Sequence, residues 1–173
     1  MKTFVVFALL AFVLGSMNAE ESRIAIQWDK KVIASKFDTL PKAGQVAVNN
    51  LLCTYTITLA NNSFADAPAM QVKYNVFVER QRPGDKGSTQ RIEVVKGSKS
   101  VDGIKSHQKA SVDTDAFPLN DGKLSAGWHY VGGGRTVAKD SIKGVWVRVY
   151  QDGKVVAEHV NPSTLSSKEK WKD

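Results

Sequence analysis

The sequence predicts an all-β protein built from two packed antiparallel sheets. Apolar residues recur at every second position in several segments, and Gly, Pro, Asn and Asp cluster between these segments. Beyond the first 19 residues, no stretch longer than ten residues keeps apolar residues at helical spacing. Alternation with polar residues favours antiparallel sheets with one solvated face over a buried parallel sheet. We therefore expect a two-sheet sandwich of about seven strands.

The first 19 residues are predicted to be a secretory signal peptide. A positive start at Lys2 precedes an apolar run at 4–14, and the small residue Ala19 precedes an acidic pair. The apolar run is shorter than the ~20 residues that span a bilayer as a helix. We therefore expect an extracytoplasmic protein, periplasmic or secreted, with no transmembrane anchor after cleavage.

One domain is expected after the signal peptide. Cleavage would leave about 154 of the 173 residues, which we divide into a β-sandwich domain at 20–162 and a polar tail or short helix at 163–173. The lone cysteine, Cys53, excludes an intramolecular disulfide and is expected in the core. The net charge of +7 is spread along the chain, so it predicts weak attraction to acidic polymers and no nucleic-acid site.

The first two expected strands lie at 23–28 and 51–60, where apolar and polar residues alternate. Charged residues at 29–31 break the first pattern, Val32-Ile33-Ala34 resumes it briefly, and 36–44 is expected to be a connection. The outer face of the second strand carries a row of threonines, which is typical of a solvated pleat. The expected inward-facing residues are Ile24, Ile26, Trp28, Leu51, Cys53, Tyr55, Ile57 and Leu59.

Further strands are expected between 70 and 119. Residues 70–79 alternate throughout, the charged segment 91–96 is expected near a sheet edge, and 110–119 alternates weakly before a predicted turn at 120–122. A strand or an ordered loop is expected at 124–131. The expected inward-facing residues of the long strand are Met70, Val72, Tyr74, Val76 and Val78.

The strongest signal is a β-hairpin at 145–160. Two runs rich in β-branched and aromatic residues flank Asp152-Gly153, a dipeptide suited to a type I′ turn. One face of the hairpin is then mainly valine and the other is aromatic and basic. A two-residue loop gives these expected pairs: Gln151 with Lys154, Tyr150 with Val155, Val149 with Val156, Arg148 with Ala157, Val147 with Glu158, Trp146 with His159 and Val145 with Val160.

A family resemblance begins in the second expected strand. The stretch 54–63, followed by Ala65-Asp66-Ala67 and by 72–76, resembles the strand, Asn-rich turn, small residues and strand of bacterial extracytoplasmic immunoglobulin-like modules, including the cell-adhesion-related type. The resemblance covers about 25 residues. It implies an immunoglobulin-like or fibronectin-III-like sandwich used for adhesion, spacing or binding, and it implies no catalytic residues.

The row formed by Trp146, Arg148 and Tyr150 is the candidate ligand-binding surface. Residues two apart on a strand stand side by side, so Arg148 can lie against both rings, and each cation–π contact contributes ~0.5–1 kcal/mol at an exposed site. Such a platform suits a sugar or a peptide, and Trp128 is a further candidate contact. The structural alternative is a stabilising ladder on the outer sheet, or a surface covered by the tail through Trp171.

No catalytic, cofactor-binding or metal-binding residue is predicted. The histidines stand on separate segments without ligand spacing, and the glycine run at 132–134 lacks the Lys-Ser/Thr pair of a phosphate-binding loop. Three aspartates that could bind a hard cation lack the spacing of a calcium loop. The residues considered are His107, His129, His159, Asp113, Asp115 and Asp121.

The sequence therefore predicts a non-enzymatic binding or assembly module. Its expected partner is a protein or a cell-surface polysaccharide, and an assembly role would use an exposed strand edge. The alternative is a carbohydrate-binding protein that uses the aromatic surface, and an enzyme of unrecognised type is a third hypothesis.

Overall fold

The computed structural model describes residues 23–37, 44–87 and 91–173, which form two antiparallel sheets packed face to face. This confirms the predicted β-sandwich. The predicted signal peptide at 1–19 lies outside the described residues, as does most of the expected connection at 36–44. The elements of the described part are β1 (Ile24–Phe37), β2 (Val46–Asn61), β3 (Met70–Arg80), β4 (Arg91–Val101), β5 (Lys109–Asp113), β6 (Phe117–Leu124), β7 (Val137–Lys139), β8 (Ser141–Gln151), β9 (Lys154–Asn161) and α1 (Leu165–Lys168).

The long strand β2 organises the five-stranded sheet. β1 pairs along one edge of β2, while β6 pairs with residues 46–53 on the other edge and β5 pairs with 56–60. β7 lies beside β6. The second sheet has the order β4-β3-β8-β9, which is the order C′-C-F-G of a variable-type immunoglobulin sheet. The first sheet departs from the order A-B-E-D because its outer strand β7 follows β6 along the chain.

The core lies between the sheets and uses the residues that alternation predicted. Cys53, Ile57 and Leu59 from β2 and alternate residues of β3 are buried, and the valine face of β8 packs against them. Burial raises the pKa of the Cys53 thiol, so this cysteine is an apolar core residue as expected. The confirmed inward-facing residues include Ile24, Ile26, Tyr55, Met70, Val72, Tyr74, Val76, Val78, Val145, Val147 and Val149.

Several expected strand boundaries were wrong. β1 continues through the charged residues 29–31 because its backbone pairs with β2 there, and ladder hydrogen bonds do not require apolar side chains. The segment 120–122 is no turn: it lies inside β6, with β2 on one side and β7 on the other. The described part contains nine strands where about seven were expected.

The weakly alternating segment 110–119 forms two strands, not one. Thr114 lies between them, and its hydroxyl accepts a hydrogen bond from the Tyr55 backbone N–H at 2.9 Å. The Thr114 backbone N–H donates to the Tyr55 carbonyl at 2.8 Å. A side chain therefore replaces part of the ladder, and β5 and β6 occupy different halves of the same β2 edge.

The predicted hairpin is present, but the predicted pairing register is correct only for the first two pairs and wrong beyond them. Asp152 and Gly153 both have positive φ, 50° and 76°, as the tight turn requires. An extra residue on β9 then shifts the pairing between Val149 and Tyr150. The observed pairs are Gln151 with Lys154, Tyr150 with Val155, Val149 with Ala157, Arg148 with Glu158, Val147 with His159, Trp146 with Val160 and Val145 with Asn161.

A small second apolar cluster lies on the outer face of the four-stranded sheet. Phe77 and Trp146 from adjacent strands are buried there beneath Leu165 of α1, and Trp171 packs against them. Gly144 makes room for this contact, since a Cβ at that position would lie 2.7 Å from Leu165 Cδ2.

Within the described residues no helix is long and apolar enough to cross a membrane.

Candidate functional site

The predicted aromatic and basic row faces away from the core. Trp146, Arg148 and Tyr150 lie on the outer face of the four-stranded sheet, opposite the buried valines of β8. The bulge in the hairpin places Glu158 directly across from Arg148. The row therefore gains a carboxylate that the predicted register assigned to another position.

Glu158 connects Trp146 and Arg148 of this row. Its Oε1 accepts hydrogen bonds from Trp146 Nε1 and from Arg148 Nε, each at 2.6 Å. The Arg148 guanidinium carbon lies 5.2 Å from the Trp146 ring centroid. Burial alone would lower the pKa of Arg148, but the hydrogen bond and charge of Glu158 outweigh it and raise that pKa. Arg148 is thus a fixed cation.

The segment after α1, residues 169–173, lies across this face, and we call it the strap. The Trp171 ring meets the Trp146 ring edge to face at a centroid distance of 5.7 Å. Arg148 lies 4.5 Å from the centroid of Trp171 and so contacts both rings. Trp146 retains only 7% exposure. The aromatic row is therefore covered by the chain's own tail.

The structure brings three of the four predicted contact residues together. Tyr150 is half-buried at the end of the row, with Lys73 Nζ 5.1 Å from its ring centroid. Trp128 belongs instead to the loop between β6 and β7 of the other sheet, where its ring lies near Gly44 and is 53% exposed. Trp128 is not part of the same surface.

Apart from His129, which is exposed in the loop between β6 and β7, the remaining polar candidates have local structural partners. The His159 ring packs edge to face on Trp28 at 4.3 Å, and the His107 ring packs on Phe64 at 4.9 Å. Each aspartate considered as a cation ligand contacts a neighbouring side chain: Asp113 accepts from Thr56, Asp115 pairs with Lys99, and Asp121 lies 4.0 Å from Lys139.

A different surface, which the sequence analysis missed, lies on β1. All nine side chains from Asp29 to Phe37 are exposed. Val32 and Ile33 are 52% and 53% exposed, and Phe37 is 74% exposed. We call Asp29–Phe37 the β1 edge segment. Exposed apolar residues on an edge strand form a template for pairing with another chain.

The β1 edge segment also offers backbone groups and positive charge. β1 ends its sheet, so the backbone groups that point away from β2 have no partner strand within the described ranges. The ammonium groups of Lys30, Lys31 and Lys36 make no ion pair with any described residue. Nearby, by contrast, Lys143 pairs with Glu79 at 2.7 Å. The segment therefore combines an open ladder, apolar side chains and unneutralised lysines.

A cleft of about 580 Å³ opens beside the base of this segment. Trp28 and Lys30 form one wall, and the beginning of β8 with Lys143 forms the other. Tyr55 lines the cleft at 7% exposure, and burial raises the pKa of its phenol, which stays neutral. The cleft has room for a few side chains of a segment aligned with β1.

A sequence signal for this surface exists. Val32, Ile33 and Phe37 follow a charged break and are interspersed with Lys31 and Lys36, a composition that can mark an edge strand with charges against unwanted pairing. The charged break at 29–31 and the predicted connection at 36–44 hide the continuous strand in the local pattern. Which edge of a sheet stays open depends on the order of all strands.

The fold and these surfaces define a two-sheet β-sandwich protein with an open edge strand and a strap-covered outer face. No protein-family model and no curated protein matches the chain. Among solved structures, the chain is similar to a Northeast Structural Genomics Consortium target, at 13% identity over 69% of this chain and 83% of that chain, with a TM-score of 0.35. It is also similar to a crystal structure from Akkermansia muciniphila, at 12% identity over 87% and 78% of the two chains, with a TM-score of 0.27.

Proposed function

We propose that the protein is a non-enzymatic, extracytoplasmic binding and assembly module of immunoglobulin-like type. Its partner adds a strand along the β1 edge segment. The observation that carries this proposal is the run of nine exposed residues on an end strand, which includes Val32, Ile33 and Phe37. Strand addition obtains affinity from main-chain hydrogen bonds and specificity from alternate side chains.

Charge defines the kind of partner strand. Lys30, Lys31 and Lys36 lie along the segment without ion pairs in the described part of the chain, and Asp29 supplies its only acidic group. Opposite charges on facing residues stabilise a pair of strands, while like charges destabilise it. The expected partner is therefore a protein segment in which apolar and acidic residues alternate. The positive charge of this chain, +7 overall, also favours approach of an acidic partner.

Carbohydrate binding on the aromatic face has less support. Trp146 is buried against Trp171, so a sugar would have to displace the strap before it reached the ring. Trp128, the other candidate sugar contact, lies in the loop between β6 and β7 of the five-stranded sheet, away from this face. The β1 edge segment requires no such rearrangement.

The test is cross-linking through the lysines of the β1 edge segment in the native envelope, followed by purification of the captured protein. Replacing Val32 and Ile33 by Thr keeps β-propensity but removes apolar contact. We expect this double variant to bind the purified partner at least about tenfold more weakly, equal to ~1.4 kcal/mol. Val131→Thr is the matched control, because Val131 is fully exposed in the loop between β6 and β7, away from the β1 edge segment.

Hydrogen–deuterium exchange locates the contact directly. Added strands protect backbone amides, so amides at 29–37 should exchange more slowly in the complex. The proposal fails if the captured partner slows amide exchange at another sheet edge instead of at 29–37. It also fails if the double variant and the Val131→Thr control bind the partner with equal affinity. Cross-links to a second copy of this chain alone would also contradict an acidic heterologous partner.

A further inference from the structure

The strap crosses the four-stranded sheet along one row of paired residues. Trp146 of β8 pairs with Asn75 of β3, and Asn75 pairs with Lys96 of β4. Trp171 contacts Trp146, the Lys172 carbonyl accepts from Asn75 Nδ2 at 3.0 Å, and the Asp173 carbonyl accepts from Lys96 Nζ. Successive strap residues therefore occupy successive strands.

The strap satisfies only one of the two polar groups of the Asn75 side chain. Its side chain is fully buried, yet its Oδ1 accepts no hydrogen bond from any described residue. A buried acceptor without a donor is costly, and native proteins rarely leave one. A side-chain amide can accept from a backbone N–H and donate to a backbone carbonyl at the same time. The site thus has a buried acceptor that the strap leaves without a donor.

The face recognises two chemical groups of the strap that lie close together. Trp146 and Arg148 hold the aromatic ring of Trp171. The Asp173 carboxylate lies beside that ring: its Oδ1 accepts from Trp171 Nε1 at 2.9 Å and lies 3.7 Å from Lys73 Nζ of β3. Asp173 itself is largely exposed, with 77% of its side-chain surface free, so this end of the strap is weakly held.

We infer that this outer face is a second binding site, specific for an extended peptide segment with an aromatic residue two positions before a carboxylate. The strap is its resident competitor. An incoming segment would place its ring on Trp146, its backbone amide and carbonyl on Asn75, and its carboxylate near Lys73. This site lies on the other sheet from the β1 edge segment, so it goes beyond the proposed function. A test of this site neither supports nor contradicts strand addition at β1.

A synthetic peptide with the strap's own sequence, acetyl-Glu-Lys-Trp-Lys-Asp-amide, is the probe, titrated by calorimetry into the full chain. A tethered strap competes at a high effective concentration, so the wild type should bind the peptide weakly. Trp171→Ala weakens the competitor and leaves the face intact. We expect this variant to bind the peptide at least about tenfold more tightly than the wild type does.

Two controls keep the result specific. The same peptide with Ala in place of Trp should not bind the Trp171→Ala variant, and a Trp128→Ala protein should bind like the wild type because Trp128 lies elsewhere. Asn75→Asp keeps the size of the side chain but removes the amide donor. Added to Trp171→Ala, it should reduce peptide affinity by about tenfold.

If Trp171→Ala loses cooperative unfolding, Asp173→Lys replaces it. That change removes the exposed carboxylate that accepts from Trp171 Nε1 and lies near Lys73, and it leaves Trp146, Arg148 and Asn75 unchanged. Tighter peptide binding by either folded variant supports the inference. No binding to a folded variant at millimolar peptide, or equal binding of the Trp and Ala peptides, overturns it.

Discussion

Tyr74 links the two sheets through its hydroxyl group. The side chain starts on β3 and is fully buried, and its Oη donates to Asp115 Oδ2 at 2.9 Å and accepts from the Asp115 backbone N–H at 2.8 Å. Asp115 lies between β5 and β6 of the opposite sheet. Burial raises the pKa of Tyr74 to about 12, and the neighbouring carboxylate adds to this effect, while the backbone N–H opposes it.

Tyr74→Phe should therefore lower the free energy of unfolding by about 1–3 kcal/mol, because it leaves the Asp115 N–H without its acceptor. The raised pKa also makes a pH prediction. The unfolded tyrosine loses its proton near pH 10 and the folded one near 12, so the stability that Tyr74 contributes is complete below pH 10 and is lost as the pH rises toward 12. Urea unfolding at pH 8 and pH 11 should show a larger alkaline loss for the wild type than for Tyr74→Phe; equal losses would contradict the assignment.

Among the elements, the β8–β9 hairpin owes its pairing register to both its turn and its bulge. The Asp152-Gly153 turn fixes the first pairs, and the extra residue on β9 then brings Glu158 opposite Arg148. Through Glu158 the hairpin joins the Trp146 indole to the Arg148 guanidinium, and the strap closes over them. The outer face of the hairpin is consequently a second small core.

This arrangement predicts that Trp146→Ala lowers the free energy of unfolding by about 3 kcal/mol, as for other large buried aromatic residues. The exposed Trp128 provides a matched control: Trp128→Ala should cost less than about 1 kcal/mol. Chemical denaturation of both variants checks the prediction. A Trp146→Ala protein as stable as the wild type would mean that the strap does not cover this ring in solution.

At the scale of the whole molecule, Asp140 joins the sheets where the chain passes from β7 to β8. Its carboxylate is 1% exposed and accepts from Arg80 Nη1 of β3 at 2.8 Å, and from the backbone N–H groups of Gln81 and Asn120 at 3.0 Å each. Arg80 also donates to the Pro118 carbonyl of β6. One buried ion pair thus contacts both layers of the sandwich.

Asp140→Asn removes the buried charge that balances the partly buried Arg80 and should cost about 2–3 kcal/mol of unfolding free energy. Glu93 also pairs with Arg80 but is more than half exposed, so Glu93→Gln should cost less than about 1 kcal/mol. Thermal or urea unfolding of the two variants measures the difference. Equal small effects would show that Asp140 does not tie the sheets together.

Much of the core could be predicted from the sequence, but less of the surfaces. Alternation identified the inward side of β2 and β3, and Asp152-Gly153 identified the hairpin. The candidate row was placed on the correct face, yet Trp128 was grouped with it although it lies in a loop that joins two strands of the other sheet. The β1 edge segment was predicted only as a brief return of the strand pattern at 32–34, because its charged residues interrupt the local pattern while β2 still pairs with its backbone.

The two-sheet architecture and the residues that fill its interior follow from local alternation, because a strand's side chains alternate with a period of two wherever the strand lies. The burial of Phe77 and Trp146 on the outer face follows only from the folded arrangement, since their cover comes from Leu165 and Trp171, which belong to the C-terminal segment. The folded arrangement also decides which edge remains open and where the hairpin slips by one residue. Those outcomes depend on contacts between segments, and no local pattern contains them.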